Sequence, residues 1–100
     1  MYLLLPMDSD AVQEASLVSV ADATVWAQLV VENGEIVEIN HAKEFDQFEN
    51  FSEAVVFIND FENPIPFMEY NMMPLVAHTQ RSIDDIVEAY LFRELHDMAV

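Results

Sequence analysis

The chain has no cysteine, a single glycine and only three basic residues in a hundred. The first absence excludes disulfides, thiolate metal sites, cysteine nucleophiles and cysteine-ligated iron–sulfur clusters. The second excludes glycine-rich loops that wrap phosphates, because such loops need backbone that approaches the ligand without a side chain. The third, set against nineteen acidic residues, gives a formal charge of −16. A conventional nucleic-acid binder needs a cationic face for phosphates, so that class is excluded. The same charge opposes docking on an anionic membrane surface. Long apolar runs are missing too: Met1 to Leu5 is halted by Pro6, and no basic start leads into a longer stretch. The expectation is therefore a cytoplasmic chain with neither a leader nor a spanning helix.

Apolar residues are what the sequence has in quantity. They make up 53% of the chain, with seven Phe, three Tyr and one Trp. That is enough for a real core, and it overrides the usual link between high net charge and disorder. The length fits one domain, expected to bury roughly two-thirds of its unfolded surface.

The patterning reads as α/β. Tyr2 to Leu5 is a continuous apolar run of the kind found in a buried strand. Met7 to Ser19 reads as a loop with a helical turn near Ala11 to Ala15. Thr24 to Val31 and Glu35 to Asn40 are strand-like on either side of Asn33-Gly34, the strongest short hairpin signal because both turn residues tolerate positive φ. Phe45, Phe48 and Phe51 recur at spacings of three and predict a short helix within His41 to Glu53 with one aromatic face. Ala54 to Ile58 and Pro74 to His78 read as strands, and Phe67 to Asn71 as one helical turn. The best helix comes last. Ser82 is an N-cap candidate, and Ile83, Ile86, Val87, Tyr90, Leu91 and Leu95 follow at helical spacing. Strands alternating with helical pieces imply a partly parallel sheet.

Three stretches carry a family resemblance. Leu3-Leu4-Leu5-Pro6-Met7-Asp8, Val30 to Val37 (VVENGEIV) and Ser82 to Leu95 (SIDDIVEAYLFREL) are similar in order and spacing to the opening strand, hairpin and closing helix of the dinitrogenase iron–molybdenum cofactor biosynthesis family, the NifX type shared with the C-terminal part of NifB-type proteins. The resemblance implies a ribonuclease-H-like three-layer fold, with a mixed sheet of about five strands and a C-terminal amphipathic helix. It also implies handling of an iron–molybdenum or iron–sulfur cluster. The chain departs from the family at two places. Ser19-Val20-Ala21-Asp22-Ala23 stands where the family has His-Phe-Gly-Arg-Ala, and Asn59-Asp60-Phe61-Glu62 where it often has Asn-Ile-Gly-Pro. An arginine there suits an anionic cluster and Asp22 repels one, so the fold is expected to carry over and the cluster site is not.

The candidate ligand-facing edge is Asp8, Asp22, Asp60, Glu62 and His78. Asp8 and Asp60 are expected at the carboxyl ends of parallel strands, where open α/β sheets place their sites. Paired carboxylates there are the donor type for magnesium and phosphoryl chemistry, so a metal-dependent phosphohydrolase is one reading. A charge of −16 opposes a phosphate substrate, and solvated loop acids are the plainer reading. Of the three histidines, His78 lies nearest this edge, and none has the close helical spacing of a metal motif. Met68, Tyr70, Met72 and Met73 read as core filling or as an adaptable binding surface. The leading expectation is a non-catalytic accessory protein with a protein partner. The alternative is an acidic interaction or regulatory domain for a basic partner.

Overall fold

The structure is a computed structural model that describes residues 1–98. Six strands form one mixed sheet: β1 (Tyr2–Met7), β2 (Val25–Glu32), β3 (Glu35–Ala42), β4 (Ala54–Phe57), β5 (Met73–Val76) and β6 (His96–Asp97). Their spatial order is β3-β2-β1-β4-β5-β6. β1 is central, parallel to β4 and antiparallel to β2. β4 and β5 are parallel, whereas β5 and β6 are antiparallel. Among the described residues there are also two α-helices, α1 (Ile65–Met68) and α2 (Ile83–Leu91), and one 3₁₀ turn (Val20–Asp22). Among the described residues no helix is long and apolar enough to cross a membrane.

Side-chain alternation along the strands divides the core in two, as a sheet covered on both faces requires. Leu3, Leu5, Ala27, Leu29, Ala54, Val56 and Leu75 point to one face, where Ile83, Ile86 and Val87 of α2 cover them. Leu4, Trp26, Val55, Phe57 and Val76 point to the other, under Phe67 and Met72. On this second face Phe45 and Phe67 have ring centroids 4.7 Å apart, and Trp26 lies 5.6 Å from Phe67. Gln28 is also buried here; its Nε2 donates to the Asn50 carbonyl and to Ser52 Oγ, which satisfies a polar group in the core.

The hairpin forms at the expected residues, with Asn33 at φ 53° and Gly34 at φ 80°. A bulge then leaves Val37 exposed and lets both Ile36 and Ile39 reach the α2 face. β1 runs past Pro6 because its flank beyond the β4 pairing is taken by returning chain: Val18 N donates to the Pro6 carbonyl and Asp8 N to the Ser16 carbonyl.

Three expectations are corrected. No helix forms between His41 and Glu53: β3 continues to Ala42, and a loop follows. Phe45 and Phe48 of that loop turn onto the Trp26 cluster, while Phe51 is 76% exposed. The closing helix stops at Leu91 and not Leu95, because Arg93 adopts φ 58° and the chain turns back, with Arg93 N on the Tyr90 carbonyl and Glu94 N on the Ala89 carbonyl. This is a Schellman cap made without glycine. The helix is therefore not the final element: β6 follows it and gives the sheet its sixth strand.

Candidate functional site

β1, β4 and β5 all point their carboxyl ends toward one edge of the sheet, and the candidate residues follow those ends. Asp60 comes three residues after β4 and His78 two residues after β5. The structure brings these two together, with His78 Nε2 3.5 Å from Asp60 Oδ2 and both side chains nearly half exposed. An ion pair this open contributes at most about 1 kcal/mol when the imidazole is charged. His96 joins from β6, its ring edge-on to His78 with centroids 5.1 Å apart. No sequence pattern signals this neighbour, since the contact depends on a two-residue strand that follows the helix.

Glu62 has a different part. One carboxylate oxygen accepts from Val20 N at 2.7 Å and the other from Ile58 N at 3.2 Å. It thereby ties the end of β4 to the 3₁₀ turn, and joins the two segments in which the sequence departs from the NifX pattern. Next to it, Phe61 N donates to Asn59 Oδ1 at 2.9 Å, an Asx turn. These bonds pin the loop in a conformation that leaves Phe61 95% exposed.

Asp22 stays in its own turn: Ser19 Oγ donates to its carboxylate at 3.0 Å, and Asp22 N returns a bond to Ser19 Oγ. Asp8 closes the excursion that follows β1, accepting from Ser16 N at 2.8 Å through Oδ1. Thr24 Oγ1 donates to the Asp8 carbonyl at 2.8 Å. Among the described residues no group of three or more His, Asp or Glu side chains is arranged to hold a metal ion.

The residues of this edge do not fit an iron–sulfur or iron–molybdenum cluster. The chain has no thiolate to offer. Two backbone N–H groups of this edge, those of Val20 and Ile58, are already taken by the carboxylate of Glu62, and Asp22 and Asp60 add further negative charge to the same loops.

A second cleft, of about 500 Å³, opens near the start of β2 and the end of β3 and is lined by Ser9, Asp10, Thr24, His41 and Lys43. The Nε2 of His41 is enclosed beside it without a hydrogen-bond partner. At the opposite end of the sheet, Phe51 and Tyr70 flank an open cleft of about 490 Å³ with Glu53 and Glu69. The methionine-rich segment divides there: Met72 is buried, while Met68 and Met73 are exposed.

Comparison with known proteins yields a likeness of fold. No protein-family model matches the sequence, and no curated protein matches it. Among solved structures, the crystal structure of PH0822 superposes with a TM-score of 0.71 over 97% of this chain and 96% of that one, at 12% sequence identity. The architecture is thus one that a crystal structure of nearly the same extent also has.

Proposed function

We propose that this chain is a small non-catalytic binding protein of the NifX type, on a ribonuclease-H-like fold. In this reading its sheet edge engages a protein partner of basic surface in place of a cluster. The sequence likeness in opening strand, hairpin and closing helix supports the family. The mixed sheet, with a central β1 parallel to β4 and antiparallel to β2, agrees with the fold. The same reading makes it a cytoplasmic accessory protein that binds neither nucleic acid nor membrane, in keeping with its charge of −16.

The observation that carries the reading is Phe61. A phenylalanine 95% exposed on a loop held by three hydrogen bonds is a preorganised anchor. Ordering it on binding costs little, and buried aromatic anchors dominate interface energetics. Asp60 lies beside it and Asp22 on the tethered segment, so the pocket that receives Phe61 is expected to have a cationic rim.

The test is capture from native lysate with identification by mass spectrometry, using three baits: the unaltered chain, Phe61→Ala, and the double variant Asp22→Lys/Asp60→Lys. The same captured protein should be depleted by both variants and released by moderate salt. Capture that is indifferent to both variants and to salt overturns the reading.

A further inference from the structure

A groove runs between α2 and the β2–β3 turn, remote in sequence from the Asp60 edge. It has a volume of about 490 Å³, with Glu35 and Ile36 on the hairpin side and Asp84, Val87, Glu88, Leu91 and Phe92 on the helix side. Val87 is buried, whereas Leu91 is 41% and Phe92 71% exposed. An aromatic and a leucine left open side by side at the end of a helix form an apolar strip that solvent alone does not favour.

The charges around this strip are of one sign. Among the described residues no Lys, Arg or His lines the groove. Glu32 and Glu35 stand directly opposite each other in the hairpin register, and like charges in such a pair repel. Asp84 and Glu88 are four apart on α2, the helical spacing at which like charges also repel. The Asp84–Glu88 pair borders the apolar strip, and Glu35 adds a third carboxylate across the groove. A partner that covers the strip with apolar side chains and sets cations against Asp84 and Glu88 relieves the apolar exposure and the repulsion at once.

We infer that this groove receives a basic amphipathic helix from a protein partner. The stretch from Asp84 to Leu91 spans about 10 Å of helix axis, which matches two turns of a docked helix reading i, i+3/i+4, i+7. The apolar side of the docked helix lies on Ile36, Leu91 and Phe92; its Lys or Arg side chains meet Glu35, Asp84 and Glu88. A second copy of this chain does not suit, because it presents carboxylates to carboxylates.

The probe is a Leu/Lys peptide of about 15 residues with one apolar face, long enough to hold a helix once docked. Its control is a scramble of identical composition and charge without that face. Both are titrated into the intact protein by calorimetry at moderate salt. The amphipathic peptide should bind at least about tenfold more tightly than the scramble. Phe92→Ser should remove roughly tenfold of that affinity, as loss of an aromatic anchor does. Asp84→Lys/Glu88→Lys should weaken binding further, and Glu49→Lys, in the loop over the opposite face, should leave the groove's preference intact. Phe92 is exposed, so its variant is expected to keep the parent's thermal unfolding, checked by circular dichroism. Equal affinity for peptide and scramble overturns the inference, as does a well-folded Phe92→Ser that binds undiminished. Variants at Phe61 should not alter this titration, so the groove and the Asp60 edge fail or succeed separately.

Discussion

Glu62 shows how a single side chain can change the meaning of a loop. As a residue type in an acidic stretch it reads as a solvated contact for a partner. In the fold its two oxygens accept from Val20 N and Ile58 N, more than thirty residues apart in the chain, and it becomes the brace of the loop that displays Phe61. The donors are backbone groups, which is why the role is invisible in the sequence. Hydrogen bonds to a charged acceptor contribute about 1.5–3 kcal/mol each when well buried; these are partly exposed. Glu62→Ala should therefore destabilise the protein by about 1–3 kcal/mol in total, and Glu62→Gln, which retains one acceptor oxygen, by roughly half of that. Urea denaturation of the three proteins gives the comparison. A Glu62→Ala effect below about 0.5 kcal/mol, the range of inert surface substitutions, would show that the brace carries no load.

At the scale of elements, α2 offers the sharpest contrast between two faces. Ile86 has no exposed surface and lies in the cluster that covers β1, β2 and β4. Ile86→Ala removes that packing and should cost about 2–5 kcal/mol. Asp84 stands two residues earlier, about 200° around the helix, on the solvent side. Its attraction to the helix N-terminus and its repulsion from Glu88 are each a few tenths of a kcal/mol and opposite in sign. Asp84→Ala should therefore change stability by less than about 0.5 kcal/mol, measured in the same denaturation series. Equal effects would mean that the helix presents a different face to the sheet. The start of this helix was legible because Ser82 announces it, its Oγ accepting from Asp85 N at 3.1 Å. Its end was not, because the left-handed residue that stops it is Arg93 where glycine would have given a signal. β6 was hidden for the same reason, and with it the meeting of His78 and His96. The hairpin was legible since Asn33-Gly34 has few other uses between two β-rich runs. The Phe45, Phe48, Phe51 spacing misled because two of the rings find the aromatic cluster from a loop, and no helix is needed to bring them there. Of the candidate edge, Asp60 and His78 follow the ends of β4 and β5, which the apolar runs before them made readable. The bonds that occupy Asp8 and Glu62 come from backbone donors that no pattern reveals, and the one on the Asp22 carboxylate comes from Ser19 Oγ.

For the whole molecule, charge is the dominant unbalanced term. Nineteen carboxylates face three Lys and Arg side chains, and the one ion pair among the described residues uses a histidine. Of the cations, Arg81 is committed to carbonyls, its guanidinium donating to those of Ala77, His78 and Gln80. Internal pairing therefore leaves most of the acidic surface unneutralised, and folding brings these charges closer than the unfolded chain holds them. The molecule measures 30 × 29 × 23 Å. At 0.01 M salt the screening length is about 30 Å, so every carboxylate feels charges across the entire protein. At 0.15 M it is about 8 Å, and only neighbours remain coupled. The melting temperature should therefore rise with sodium chloride, with most of the gain complete by about 0.15 M, because beyond that the screening length is already a small fraction of the molecule. Calorimetric scans at a series of concentrations check the shape as well as the sign. A rise that is absent below 0.15 M and begins only at molar salt would point to salt acting on apolar burial. A melting temperature flat across the whole range would mean that the carboxylates are spaced widely enough not to oppose folding, and the repulsion argued for the Glu32–Glu35 and Asp84–Glu88 pairs would lose its footing with it.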